Sequence, residues 1–178
     1  RDQPRSRGLG DVYKRQVWAC PAHYYTNFTY WTQHCWGVTC VNDMEAMLSY
    51  LPISTDNKDQ ALADLVRCYE RMMMRSHTNG GYVNLLDECW KMCEKFNVNI
   101  VIMYDHVSCK NVGGLHGLFE DQARERGIHL IWIPHDVMDP RTVSRREMRE
   151  AFNQYMTTVL REEPLDPTLL DYEDNLSW

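Results

Sequence analysis

The sequence predicts a doubly wound α/β domain with a mainly parallel sheet, of the flavodoxin-like or Rossmann-like kind. Three short runs, at residues 38–41, 99–104 and 128–134, have the continuous apolar character of strands buried on both faces. Segments with helical periodicity separate these runs, and such alternation favours parallel strands joined by right-handed crossovers. With 44% hydrophobic residues among 178, the chain has the composition of a packed globular protein.

The helices of the first half are predicted from turn residues and apolar spacing. Residues 27–36 form the first helix, which ends at Gly37. Apolar residues three and four positions apart predict a second, amphipathic helix that ends before the Asn79-Gly80-Gly81 turn. These apolar residues are Leu62, Leu65, Val66, Tyr69 and Met73. A third helix follows directly and ends at Phe96, with Val83, Leu86, Trp90 and Cys93 on one face.

The second half carries clearer helix signals. Residues 115–126 form a helix closed by Gly127, where a helix C-cap favours positive φ. Ser144 is predicted to cap the last long helix, and Glu147, three residues on, completes a capping box. The buried face of this helix is predicted to consist of Met148, Ala151, Phe152 and Tyr155.

Both ends of the chain differ from the α/β domain, which is predicted to span residues 17–160. Residues 1–16 carry five basic and two acidic side chains, whereas the whole chain has a formal net charge of −6. They resemble translated sequencing-adapter DNA, and we predict a non-native leader that packs against nothing. The acidic body argues against a nucleic-acid-binding role for them. Residues 161–178 form an acidic tail that is predicted to run over the surface.

Hydropathy and cysteine content predict a soluble, cytoplasmic protein. No segment approaches the ~18 apolar residues of a membrane span. The seven cysteines are odd in number and follow no secretion signal, which favours reduced thiols over a disulfide framework. Each thiol is then a candidate for core packing, metal binding or nucleophilic chemistry.

Cys109 is the strongest candidate for chemistry. Open parallel sheets bind ligands beyond the carboxyl ends of their strands, and Cys109 follows the strand at residues 99–104 in a polar loop. A glycine pair and a helix start come next. Nearby hydrogen-bond donors are His106, Ser108, Lys110 and His116. Most cysteines are buried as small hydrophobes, and this is our interpretation of Cys89 and Cys93, but the polar loop favours a reactive or metal-bound Cys109.

A second polar loop follows the strand at residues 128–134. Its Asp136, Asp139 and Arg141 could hold a metal or a phosphate. The simpler interpretation is a structural loop, fixed by Pro140 and by an ion pair between Asp139 and Arg141.

Several motifs occur in an order that points to one family. They are His106-Val-Ser-Cys-Lys110, a Gly127-Ile-x-Leu strand, Asp136-x-x-Asp-Pro-Arg141, Ser144, and a helix containing Ala151-Phe152. In this order, over residues 98–160, the chain resembles the C-terminal end of the 2-hydroxyacyl-CoA dehydratase D-component family, which includes subunits of the ATP-dependent benzoyl-CoA reductases. A less specific likeness extends upstream to residue 18. The chain is accordingly predicted to be the C-terminal domain of a larger subunit.

The resemblance implies a [4Fe–4S] cluster held by three cysteines. Only the cysteine of the family's Ser-Cys-Lys loop has a counterpart here, Cys109, and the other two ligands are expected in a preceding part of the subunit. Ser108 and Lys110 would tune the Cys109 sulfur by hydrogen bonding and by charge. No catalytic residue is assigned.

The resemblance also implies the reaction and its partners. An ATP-dependent iron–sulfur activator would supply one low-potential electron to an acyl-CoA thioester, and the resulting ketyl radical anion would expel a hydroxyl group. In the benzoyl-CoA reductase branch the product is a reduced ring. A paralogous second subunit is the expected partner, and neither nucleic acid nor a membrane is.

Two other functions stay open from the sequence. The first is a non-catalytic flavodoxin-like module that binds CoA or a partner subunit and carries no cluster. The second is a thiol enzyme with Cys109 as nucleophile and His106 or His116 as its base.

Overall fold

The structure, a computed structural model, describes residues 13–18, 21–44 and 51–171, with the backbone alone at residues 13–18, 73–74 and 76–79. Four parallel strands form a sheet in the order β2-β1-β3-β4. The strands are β1 (Tyr13–Trp18), β2 (Val38–Asp43), β3 (Ile100–His106) and β4 (His129–His135). The strands predicted at residues 38–41, 99–104 and 128–134 are therefore confirmed, and so is the α/β class with a parallel sheet.

Strand β1 corrects the prediction for the start of the chain. Residues 1–16 were expected to pack against nothing, yet the backbone from Tyr13 onward pairs with β2, and from Arg15 onward also with β3. The expectation is therefore wrong for residues 13–16, and residues 1–12 lie outside the described part. Sheet pairing uses backbone N–H and C=O groups, so a segment without a strand-like apolar pattern can occupy a central position.

Two helices match their predicted ranges to within one residue, and a third begins where the sequence predicts. Helix α1 (Phe28–Trp36) ends at Gly37, whose φ is 69°, and α5 (His116–Arg126) ends at Gly127, whose φ is 66°. Helix α6 (Arg145–Tyr155) begins with the predicted capping box of Ser144 and Glu147. A short helix, α4 (Lys110–Gly113), lies between β3 and α5. Of the helices in the described ranges, none combines the length and apolar character needed to cross a bilayer.

Two hydrophobic clusters lie on opposite faces of the sheet. Alternate residues of β3 divide between them, because successive side chains of a strand point to opposite faces. Ile100, Ile102 and Tyr104 join the first cluster, with α1 and α6, whereas Val101 and Met103 join the second, with α4, α5 and residues 85–93 of the helix that precedes β3. Helices therefore cover both faces of the sheet.

The region between β2 and β3 departs from the prediction. Helix α2 (Lys58–Glu70) ends nine residues before the predicted Asn79-Gly80-Gly81 turn, and α3 (Met73–Phe96) runs through that turn with a bend at Gly81. On α3 the predicted face is buried at Leu86, Trp90 and Cys93 but exposed at Val83. On α2 the apolar stripe is exposed at Leu62, Leu65, Val66 and Tyr69. Its one buried residue is Asp64, which accepts hydrogen bonds from Ser54, Gln60 and Arg67.

This exposure has a measurable consequence. The double substitution Leu62→Lys and Val66→Lys should leave the free energy of unfolding within about 0.5 kcal/mol of the wild type, because both side chains are already in water. Leu86→Lys on α3 should destabilise clearly, because that side chain is 4% exposed and a buried charge is costly. Urea unfolding of the three proteins checks this, and a strongly destabilised double variant would show that the α2 stripe is covered.

The acidic tail packs more closely than predicted. The Leu165 N–H donates to the Cys35 carbonyl at 2.7 Å, and Trp31 Nε1 donates to the Leu169 carbonyl at 2.8 Å. Leu169 and Leu170 also contact the first hydrophobic cluster. The described part of the tail therefore lies along α1 and contributes to the core, while residues 172–178 lie outside the description.

Candidate functional site

The candidate site is at the carboxyl edge of the sheet. Strands β3 and β4 end side by side, with His106 paired to His135, and the Val107 N–H donates to the His135 carbonyl at 3.1 Å. The two loops singled out from the sequence leave the sheet at this point. The structure thus brings two loops to one edge, as expected for parallel strands. They are residues 107–115, the Cys109 loop, and residues 136–141, the Asp136–Arg141 loop.

Cys109 has the position predicted for it. It lies three residues beyond β3, where its N–H donates to the His106 carbonyl at 2.9 Å, and it caps α4. Its side chain is half-buried and packs against the second hydrophobic cluster. The thiol is therefore held on one side by apolar contacts and remains accessible on the other.

The thiols of the core differ from Cys109. Cys35, Cys89 and Cys93 are buried, which confirms the interpretation of the last two as core residues. Burial, with Asp166 nearby, raises the pKa of Cys35 to about 11, and burial raises the pKa of Cys89 well above its ordinary value. Burial thus favours the protonated form of Cys35 and Cys89, whereas metal binding requires the thiolate.

The two half-buried thiols elsewhere are engaged locally. Cys40 on β2 donates to the Asn42 carbonyl at 3.5 Å, and Cys68 on α2 donates to the Leu51 carbonyl at 3.8 Å. Among the cysteines in the described ranges, Cys109 is the one whose sulfur makes no hydrogen bond. Of the thiols that the structure describes, it is therefore the one that can take up a new bond at least cost.

Ser108 is hydrogen-bonded to the His106 ring and not to the Cys109 sulfur. The Ser108 N–H donates to His106 Nδ1 at 3.1 Å, and the Ser108 hydroxyl lies within hydrogen-bond distance of the same atom, at 2.9 Å. Lys110 is exposed. Within the described residues, neither Ser108 nor Lys110 is hydrogen-bonded to the Cys109 sulfur, so the expected hydrogen bond from Ser108 is not formed.

A contact among Asp105, His116 and Trp132 could not be found from the sequence alone. His116 Nε2 lies 3.3 Å from Asp105 Oδ2, and the His116 ring stacks on the Trp132 indole with centroids 3.6 Å apart. The only signal was the strand period of two. With Met103 paired to Trp132, that period places Asp105 and Trp132 on the same face of the sheet.

The Asp136–Arg141 loop is held by its own side chains. Asp136 Oδ1 accepts from the N–H groups of Met138 and Asp139, both at 2.9 Å. Arg141 binds the Asp139 carboxylate through Nε at 2.9 Å and Nη2 at 2.7 Å. This confirms the predicted internal ion pair and leaves the Asp139 oxygens occupied.

The ion pair predicts a pH dependence. Hydrogen bonds from the Arg141 side chain, and then from its backbone, lower the pKa of Asp139 from 3.8 to about 2. Because the folded pKa lies below the unfolded one, the pair contributes stability that is present above pH 3.8 and lost as the pH falls towards 2. Arg141→Gln should raise this pKa towards 3.8. A carboxyl-carbon NMR titration checks this, and identical Asp139 curves in both proteins would contradict it.

The described residues do not form a complete metal site. Within residues 21–44 and 51–171, His, Cys, Asp and Glu side chains nowhere gather in a group of three or more that could bind a metal ion. Thiolate sulfur is nonetheless the ligand that iron–sulfur clusters use. The described residues could therefore supply one ligand to a cluster, the thiolate of Cys109.

The chain matches the model of a known protein family. The model of the family described as "2-hydroxyglutaryl-CoA dehydratase, D-component" matches residues 11–156, a stretch that includes β1, both loops of the carboxyl edge and all of α6. The match begins within the segment that was predicted to be a leader. No curated protein matches the chain. Because the family model covers most of the sequence, the chain belongs to the 2-hydroxyglutaryl-CoA dehydratase D-component family.

Proposed function

We propose that this chain is an iron–sulfur subunit domain of a 2-hydroxyacyl-CoA dehydratase-type enzyme and that Cys109 binds a [4Fe–4S] cluster. Family membership makes it a dehydratase-type component. The observation that carries the rest is the setting of Cys109: a half-buried thiol at the carboxyl edge of the sheet, inside the matched region, whose sulfur has no hydrogen bond within the described part. The reaction is loss of water from a 2-hydroxyacyl-CoA, or ring reduction in the benzoyl-CoA reductase branch.

The described residues would bind one iron of the cluster. Cys109 supplies a thiolate, with one side of the residue packed on the second hydrophobic cluster, which limits the positions its sulfur can take. Two further cysteine ligands must come from residues outside the described ranges or from another polypeptide. Such a cluster supplies one-electron reduction of a thioester. Lys110, exposed next to Cys109, places a positive charge where anionic sulfur or an acyl-CoA phosphate would lie.

The strand order supports the rest of the proposal. The order β2-β1-β3-β4 is that of the first four strands of the flavodoxin-like arrangement, in which ligands bind at the carboxyl edge between the first and third strands. We therefore propose the doubly wound fold, with the acyl-CoA at that edge. The expected partners are a paralogous second subunit and an ATP-dependent iron–sulfur activator, and the expected compartment is the cytoplasm.

The alternatives receive less support from the geometry. A thiol nucleophile needs a base within hydrogen-bond reach. His106 Nδ1 accepts from Ser108, His116 Nε2 faces Asp105, and within the described residues neither ring is hydrogen-bonded to Cys109. A binding module without a cluster would use the same edge but would not need the Cys109 sulfur, so a test centred on that sulfur separates the two.

Alkylation provides the test. In the anaerobically purified complex that contains this chain, Cys109 should resist iodoacetamide, and removal of iron by a chelator should make it reactive, because a metal-bound thiolate is not free to attack. Cys89 should be unreactive in both states, since it is fully buried. Peptide mass spectrometry reads both sites. Equal alkylation of Cys109 before and after iron removal would refute the proposal and favour a binding module.

A further inference from the structure

We propose that Asp105, His116 and Trp132 form a clasp that closes the base of the Cys109 loop and so positions the Cys109 sulfur. The significance of the clasp for catalysis rests on the proposed function, but its effect on the loop does not. All three are positioning residues, since they act through the loop and not on a substrate.

The first half of the clasp is electrostatic. Asp105 is the penultimate residue of β3 and His116 is the first residue of α5, so their contact joins the two ends of the loop. His116 Nε2 lies 3.3 Å from Asp105 Oδ2, has almost no exposed surface and makes no hydrogen bond within the described residues. The two groups are therefore in close polar contact, shielded from water at the nitrogen.

The second half of the clasp is aromatic. The His116 ring lies nearly parallel to the Trp132 indole, with an interplanar angle of 24° and centroids 3.6 Å apart. Trp132 is itself fixed, because its Nε1 donates to Glu120 Oε1 at 3.2 Å and its ring meets Phe119 edge-on. The imidazole is thus held between a carboxylate on β3 and an indole on β4.

The loop between these ends is built from tight turns. The Gly113 N–H donates to the Cys109 carbonyl at 3.1 Å, Gly114 to Lys110 at 3.0 Å, and Leu115 to Val112 at 2.9 Å. These bonds are local and restrain the shape of the loop, and the burial of Val112 and Leu115 in the second hydrophobic cluster ties it to the sheet. A contact between the loop's two ends restrains it further, because chain closure restricts the conformations of the residues in between. Cys109 lies within the closed segment.

Amide hydrogen exchange in the full chain tests the clasp. His116→Phe keeps the aromatic stack and removes the polar contact, and Asp105→Asn removes the carboxylate charge alone. Each should increase exchange at the Gly113, Gly114 and Leu115 amides by about two- to fivefold, the range expected for the loss of a partly exposed polar pair. The amides of Ile102 and Met103 in β3 should be unchanged. Asp121→Asn, which breaks the exposed Asp121–Arg124 pair on α5, is the matched control and should not affect the loop.

Rescue distinguishes the clasp from a general loss of packing. His116→Arg supplies a planar cation that can stack on Trp132 and face Asp105, and it should restore the wild-type exchange rates of the loop. The Cys109 alkylation rate of iron-free protein should rise two- to fivefold in His116→Phe and return to the wild-type rate in His116→Arg. Unchanged loop exchange in both His116→Phe and Asp105→Asn would overturn the clasp. Neither measurement requires a cluster, so failure of the clasp and failure of the proposed function are separate results.

Discussion

Cys109→Ser should remove most of the iron and nearly all activity from the complex that contains this chain. A serine hydroxyl is not deprotonated at neutral pH and is a poor ligand for the iron of a cluster. Cys109 is half-buried and its sulfur makes no hydrogen bond within the described part, so serine should fit without a large loss of stability. Iron analysis, visible absorbance and dehydration of a 2-hydroxyacyl-CoA measure the effect, and the melting temperature shows whether the variant is folded.

Two other cysteines serve as controls for this substitution. Cys40→Ser should keep the iron, because the hydroxyl can donate to the Asn42 carbonyl in place of the thiol. Cys89→Ser should cost mainly stability, because the site is fully buried and a hydroxyl needs a hydrogen-bond partner there. Full iron and turnover in Cys109→Ser would end the proposal that this cysteine is a ligand. Equal iron loss in Cys40→Ser would mean that the assay reports general damage.

The features that could be predicted from the sequence are those set by local chemistry. Gly37 and Gly127 end helices because a left-handed residue is needed there, and Ser144 with Glu147 begins one through a bond pattern contained within four residues. Buried parallel strands are recognisable because both faces are apolar. The position of Cys109 follows from β3, since a residue just beyond a parallel strand must lie at the carboxyl edge.

The features that were missed depend on contacts between distant segments. Strand β1 has the sequence Tyr-Lys-Arg-Gln-Val-Trp, which has no apolar period, and its place is set by backbone pairing to β2 and β3. Helix α2 has a regular apolar stripe, but helical periodicity does not say whether a partner covers it. The contact of His116 with Asp105 and Trp132 joins three elements, so no local pattern could indicate it.

Stability and the candidate site depend on opposite faces of the sheet. Cys109 packs on the second hydrophobic cluster, whereas Phe152 of α6 is fully buried in the first. The Phe152 ring lies edge-on to Phe28 at 5.9 Å and to Trp31 at 5.7 Å, so it joins α6 to α1. A substitution there should affect the free energy of unfolding and leave the Cys109 loop unchanged.

Phe152→Ala should therefore lower the free energy of unfolding by about 3–5 kcal/mol, because it removes a buried ring and leaves a cavity that the neighbouring rings cannot fill. The melting temperature should fall by roughly 10 °C or more. Gln154→Ala, an exposed position on the same helix, should change stability by less than about 0.5 kcal/mol. Well below its melting temperature, Phe152→Ala should show wild-type alkylation of Cys109. A changed Cys109 alkylation rate in a folded Phe152→Ala protein would mean that the two faces of the sheet are coupled. A decrease in the free energy of unfolding of less than about 1 kcal/mol would mean that α6 does not pack on α1 through this ring.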